Sequence, residues 1–213
     1  LVVAAWLYAV QIYCDFSGYT DIAIGLSRLL GYQSAPNFDA PYASRSVAEF
    51  WTRWHMSLSF WFRDYLFLPL SYAATRRERR DTFLGLRVET LAYVQATAVT
   101  MVLCGLWHGA SWSFVTWGAL HALYLIGGQL SRRVRRRVAR RTGLASRPSL
   151  HRALQVVVTF NLVSFAWIFF RAPTLAKALE YLHYMQIKPS ATGMGHMIVG
   201  VGLAAAFLLA EWI

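Results

Sequence analysis

Gly105-Leu106-Trp107-His108-Gly109-Ala110-Ser111-Trp112 divides two uncharged runs, Leu91–Leu106 and Trp112–Leu130. Each run approaches the roughly 20 residues that a helix needs to cross a bilayer. Two such helices joined at His108–Ser111 predict a membrane hairpin. A histidine deep in apolar sequence is costly, which makes His108 a functional candidate. Gly105 and Gly109 flank it and let another backbone or a ligand come close. The plainer alternative is a histidine that only hydrogen-bonds across helices.

The rest of the chain agrees with a membrane setting. Of its 213 residues 57% are hydrophobic and only 15% charged. A soluble domain would hold about 45–50% apolar and about 25% charged residues. The expectation is an all-α, polytopic helical bundle with short re-entrant or in-plane helices. The net charge is +11, but 13 of the 21 basic residues fall in Arg76–Arg87 and Arg132–Arg147. Short basic connections between apolar runs mark the cytoplasmic side. A nucleic-acid binder would need a folded basic domain or a readable motif, and neither is present. With both basic segments cytoplasmic, the hairpin tip is directed the opposite way. His108 then lies in the outer half of the membrane or at the floor of an outward cavity.

Cys14 and Cys104 lie in apolar stretches without metal or disulfide spacing, so both read as small buried side chains. The chain opens at Leu1 and stops at Ile213 inside apolar sequence. It reads as one membrane domain over 1–213, an internal or truncated piece of a longer polytopic protein.

Along the chain, Leu1–Cys14 reads as the end of a spanning helix. Asp15-Phe16-Ser17-Gly18-Tyr19-Thr20-Asp21 reads as a polar break. Thr20 or Asp21 then caps Ile22–Leu30, which Gly31 closes. Gln33–Tyr42 reads as a loop. Ser46–Tyr65 is expected to be one helix, with Ser46 and Glu49 as its capping box. At about 100° per residue, Trp51, Trp54, Leu58, Trp61, Phe62 and Tyr65 share a face. Thr52, His55, Ser59 and Arg63 form a polar arc beside it that needs a cavity or partner. Glu49 and Arg53 are spaced for an i,i+4 pair. Pro69 is expected to end this element. Ala153–Phe170 is a further uncharged run, Thr174–Met185 a short amphipathic helix, and Met194–Ala210 a final apolar run.

Neutral imidazole is the usual base for activating a hydroxyl or thiol. That makes His108 the first candidate and His55 the second, although His55 alone also fits a histidine at the edge of a core. His121 stands 13 residues after His108, which raises a bis-haem reading. Thirteen residues rotate by about 220° along a helix, however, and the Gly109–Ser111 break interrupts any continuous one. His151, His183 and His196 lie at segment edges. Asp21 and Asp64 fit caps and surface pairs, while Asp15 follows an apolar run and is open to a cavity-facing role.

Taken together, the residues resemble the membrane-bound O-acyltransferase family, in its alginate O-acetyltransferase and D-alanyl-lipoteichoic acid branch. The resemblance rests on Tyr13–Gly25, Asn37-Phe38 with Pro41-Tyr42, and Glu49–Ser59 with Arg63-Asp64-Tyr65. Gly105–Gly109 and Trp167–Ala172 complete it, and Leu66-Phe67-Leu68-Pro69-Leu70 looks closer to the acetyltransferase branch. The family resemblance implies that His108 is the catalytic histidine and His55 a second key polar residue. Asp15, Ser17, Thr52, Ser59, Arg63 and Trp107 are expected to contact substrate. It implies an O-acyltransferase of the bacterial cytoplasmic (inner) membrane, serving cell-envelope polysaccharide O-acetylation as in alginate biosynthesis. No tightly bound cofactor or metal is expected, and acetyl-CoA or another acyl thioester is the donor. Expected partners are membrane lipid and a periplasmic or extracellular acetyltransferase or acceptor polysaccharide. D-alanyl transfer to teichoic acid, or a non-catalytic transporter of an acylated carrier, are the alternatives.

Overall fold

The computed structural model describes residues 2–77, 82–83 and 86–185. Met194–Ala210 and His196 lie outside them. The described residues form a helical bundle, as expected, with one small antiparallel ribbon. In that ribbon β1 (Thr82–Phe83) pairs with β2 (Leu86–Arg87), Thr82 opposite Arg87.

The first helix, α1 (Val2–Leu29), runs 28 residues without interruption, about 42 Å at 1.5 Å per residue. The expected break at Asp15–Asp21 is therefore corrected. Asp15, Tyr19 and Asp21 are exposed, and Ser17 Oγ donates to the Cys14 carbonyl at 3.4 Å. Polar side chains that face outward or bond back along the helix leave its backbone ladder intact. Gly31 does close the helix, at φ 83°. Tyr32 N–H donates to the Ser27 carbonyl at 2.9 Å and Gly31 N–H to Arg28 at 3.1 Å. That left-handed cap is one a glycine adopts without strain.

The loop to residue 46 is fastened to α1 where the buried Tyr42 hydroxyl donates to the Ala9 carbonyl at 2.7 Å. α2 (Val47–Arg53) then starts at Ser46, whose Oγ accepts from Glu49 N–H at 3.1 Å. The Glu49 carboxylate accepts from Arg45 N–H at 3.0 Å and pairs with Arg53 at 3.1 Å. The expected single helix over Ser46–Tyr65 is not formed. The chain turns at Trp54 (φ −106°, ψ 128°) and His55 (φ 42°, ψ 55°) and restarts as α3 (Met56–Phe62). A π turn over Arg63–Phe67 leads into α4 (Leu68–Arg77). Pro69 thus sits near the start of α4 rather than ending an element. Proline has no N–H and crowds the carbonyl four residues back, and the wider π turn supplies the room.

The hairpin stands as expected: α5 (Val88–His108) and α6 (Trp112–Leu130), with Ser111 Oγ accepting from Ser113 N–H at 3.3 Å. Two glycines bring the backbones together. A Cβ on Gly105 would strike the Phe114 carbonyl oxygen, and one on Gly118 that of Met101. Close approach at small residues is how helices gain contact where lipid removes the hydrophobic drive between them. The basic segment after α6 is a helix rather than a loop, α7 (Arg132–Arg141). α8 (Pro148–Arg171) crosses between α1 and α6, and α9 (Leu175–Met185) begins where Thr174 Oγ1 accepts from Lys177 N–H at 3.2 Å.

Among the described residues, Val88–His108 and Pro148–Arg171 are long and apolar enough to cross a membrane. Val99, Leu103, Val157 and Val158 on these helices face outward. Inside, Tyr42, Phe50, Trp54, Trp117, Phe160 and Trp167 make an aromatic core. Cys104 is buried as expected, whereas Cys14 is exposed.

Candidate active site

His108 is the last residue of α5, and Gly109 behind it takes φ 156° and ψ 155°. That backbone region is open essentially to glycine alone. The α5 helix therefore ends with the imidazole at its tip. Its half-buried ring meets Trp107 at 4.9 Å, Phe170 at 4.9 Å and Trp117 at 5.2 Å between centroids. Rings from α5, α6 and α8 thus enclose it on several sides.

His55 reaches the same neighbourhood by a different route. It is one of two non-glycine residues with positive φ among those described. A residue other than glycine pays of order 1 kcal/mol for that conformation, so neighbouring bonds must hold it. They come from Asn37. Its carbonyl accepts from Met56 N–H at 3.0 Å. Its Oδ1 accepts from Ser57 N–H at 3.2 Å and Ser57 Oγ at 2.6 Å, and lies 3.3 Å from His55 Nδ1. An oxygen already taking a backbone N–H acts as acceptor, so Nδ1 carries the proton and donates. The lone pair of neutral His55 is then on Nε2.

The two imidazoles share a wall. The His55 ring lies 6.1 Å from Trp107, the indole that also packs on His108, and 4.7 Å edge-on to Phe16. Trp107 itself is 57% exposed, which leaves one face of this pair open. The expected neighbour Trp107 is thus brought to both histidines. Ser59 stays close through the chain, its N–H donating to the His55 carbonyl at 2.9 Å and its Oγ to that of Trp54 at 2.9 Å.

The break at Trp54–His55 dissolves the polar arc expected from one helix. Thr52 is exposed and its Oγ1 donates to the Glu49 carbonyl at 2.7 Å. Arg63 is exposed, pairs with Asp64 at 2.7 Å and lies over the Phe60 ring at 4.8 Å. On α1 it is Phe16, between Asp15 and Ser17, that faces His55. The polar groups of Thr52, Arg63 and Ser17 are occupied locally, and Asp15 is exposed.

Asn37, Phe16, Trp117 and Phe170 join the site beyond the residues the sequence points to. No local signal points to Asn37, because it acts on a turn 18 positions away in the chain. His121 is a different kind of residue. It has no exposed surface, its Nδ1 accepts from Trp51 Nε1 at 3.2 Å, and Trp51 and Trp117 pack at 5.2 and 4.9 Å. Its other nitrogen, Nε2, is buried without a hydrogen-bond partner among the described residues. Of the edge histidines, His151 is half-buried and His183 exposed.

Comparison with known proteins gives a consistent picture. The model of the membrane-bound O-acyltransferase family (MBOAT) matches residues 1–172. The probable alginate O-acetylase AlgI of Pseudomonas aeruginosa is 39% identical over 178 residues, 82% of this chain and 30% of that protein. A peptidoglycan O-acetyltransferase of Helicobacter pylori is 34% identical over 190 residues, 86% of this chain and 32% of its own length. A teichoic acid D-alanyltransferase of Streptococcus thermophilus is 34% identical over 173 residues, 78% of this chain and 40% of its length. The chain thus spans about a third of the length of the curated relatives it matches.

Proposed function

The chain belongs to the membrane-bound O-acyltransferase family, and from that premise we propose that it forms the acyl-transfer site of a membrane O-acetyltransferase. The acceptor is a hydroxyl of an exported polysaccharide, or of a partner acetyltransferase that passes the group on. The donor is acetyl-CoA or another acyl thioester arriving from the cytoplasm, and the membrane is the bacterial inner membrane. Acetyl is favoured over D-alanyl because identity to the alginate O-acetylases, at 37 to 40%, exceeds the 34 and 36% to two D-alanyltransferases.

The observation that carries the reading is that His108 and His55 both pack on one indole, Trp107. In the proposed step, His108 takes the proton of the acceptor hydroxyl as its oxygen attacks the thioester carbonyl carbon. The carbon–sulfur bond breaks, the thiolate leaves, and the proton held by His108 passes to it. Trp117 and Phe170 cover part of the imidazole and limit the access of water to the thioester from that side. His55 orients the acceptor. Its Nδ1–H is engaged by Asn37, so its neutral ring offers Nε2 as an acceptor for a second hydroxyl rather than a donor to the acyl oxygen. The same lone pair favours a second reading, in which His55 is the base and His108 orients.

The test is acetylation of the exported polymer by full-length protein carrying His108→Ala or His55→Gln. Near-total loss in His108→Ala with partial activity in His55→Gln is expected. The reverse order would exchange the roles, and retained acetylation in both would sink acyl transfer at this site. A transporter of an acylated carrier predicts that His108→Gln keeps substantial function.

A further inference from the structure

Helix α7 carries seven arginines in ten residues, Arg132–Arg141. No acidic residue occurs in the sequence between Glu89 and Glu180. Among the described residues, none of the ion pairs involves an arginine of α7. The helix is nevertheless not charged all round. At about 100° per residue, Val134 and Val138 form one stripe, with Arg137 and Arg141 along one side and Arg135 along the other. Ala139 lies about 100° or more away from that stripe and is buried. On the Ala139 side Arg135 Nη2 donates to the Gly128 carbonyl at 2.5 Å, folding the start of α7 back onto the end of α6. The protein therefore holds α7 by one edge, while Val134 and Val138 stay 60% and 52% exposed.

Both ends of this segment run into the bundle. Ser131 closes α6 with its N–H on the Gly127 carbonyl, and Pro148 opens α8, one of the helices apolar enough to cross a membrane. The 131–147 connection must therefore lie at a membrane boundary, at the end of α6 away from His108. A partner for this face has to accept two valines and supply many dispersed negative charges, and an anionic bilayer surface does both. Arginine suits that place because its aliphatic stem lies along apolar surface while the guanidinium stays at phosphate level.

We propose that α7 is an in-plane anchor that binds the anionic phospholipid headgroups of the cytoplasmic leaflet, with Val134 and Val138 inserted below the phosphates. This rests on the membrane character of the chain and not on the chemistry assigned to His108. Juxtamembrane arginines add attraction roughly in proportion to their number. Replacing four of them, Arg133, Arg136, Arg137 and Arg140, by Gln lowers retained anionic lipid by about tenfold or more.

The experiment uses full-length protein in phosphatidylcholine nanodiscs with or without about a quarter phosphatidylglycerol. A nitroxide is placed at Val138→Cys in a Cys14→Ser, Cys104→Ala background, and its depth is read by power saturation. Phospholipid retained through purification is measured by mass spectrometry for wild type and the four-Gln variant. The expected result is a label below the phosphate plane in phosphatidylglycerol discs, with retained phosphatidylglycerol falling about tenfold in the variant. A label that stays in water in those discs, or equal phosphatidylglycerol retention by both proteins, would overturn the proposal. So would protection of the label only after coenzyme A is added, because α7 would then be a docking site for the donor.

Discussion

His108 and His121 stand on the two arms of one hairpin and face the same indole, Trp117, yet the fold uses them differently. His121 is sealed, with Nδ1 bonded to Trp51 and no exposed surface. His108 ends its helix beside a glycine, walled by rings on several sides and bordered by the half-open Trp107. The contrast teaches that a membrane histidine is not functional by type alone. One sealed in the core, as His121 is with Nδ1 bonded to Trp51 and Nε2 buried without a partner among the described residues, works as a packing element. One held by aromatic contacts at a helix end keeps nitrogens available for chemistry.

The most severe way to break this comparison is His108→Ala in the full-length protein. Removing a general base costs about 10²–10⁴-fold in turnover. The expected outcome is that loss in polymer acetylation, with unchanged membrane level and thermal stability. His121→Ala is expected to do the opposite. It leaves Trp51 Nε1–H buried without its acceptor, at about 1–3 kcal/mol, and adds the cost of a cavity. The melting temperature in detergent should fall by several degrees, while turnover per folded molecule stays near wild type. Turnover lost without a stability change would place His121 in the site.

A smaller change sharpens the assignment of His55. Asn37→Leu removes the acceptor that fixes the Nδ1–H tautomer and leaves the His55 turn with fewer bonds. Turnover is expected to fall by about tenfold, within the range for removing a supporting partner of a site ligand. Asn37→Asp keeps an oxygen there and should recover most of that loss. The pH–rate profile would separate the two, since only Asp adds a charge beside the imidazole.

The smallest effect lies at Glu49, on α2 outside the spanning helices. Burial pushes its carboxyl up, but the Arg45 backbone and side-chain bonds and the Arg45 and Arg53 charges outweigh it. The carboxyl is held below its ordinary value of 4.5. A carboxyl lowered by folding stabilises fully above its unfolded value and loses that contribution as pH falls through the folded one. Wild type should therefore lose more stability than Glu49→Gln between neutral pH and below about pH 4. Parallel melting curves across that range would contradict the pairing seen here.

Much of the hairpin was legible because its signals are local. Two uncharged runs, a Gly-Ala-Ser hinge and a histidine at the junction each act within a few residues. Ser46 with Glu49 and Gly31 were legible for the same reason. The break at Trp54–His55 was not, because the spacing of Trp51, Trp54, Leu58 and Trp61 is helical and nothing between them disfavours a helix. It is imposed from outside by Asn37, 18 positions earlier, and one side-chain amide there displaces the whole arc drawn from Thr52 to Arg63. α1 misled in the other direction. Asp15–Asp21 has the composition of a break, but exposed carboxylates cost a helix little.

The π turn at Arg63–Phe67 carries a consequence for related chains. It holds one residue more than an α turn would, so α4 starts rotated by about 100° and advanced by about 1.5 Å relative to an unbroken helix. Deleting any one residue of that turn would restore regular winding. It would also drive the Pro69 ring against the carbonyl of the residue then four positions back and swing α4 off α5, its main neighbour. Length at this point is therefore fixed more strictly than side-chain identity. Homologous chains should accept substitutions among Arg63, Asp64 and Tyr65 while rejecting a gap.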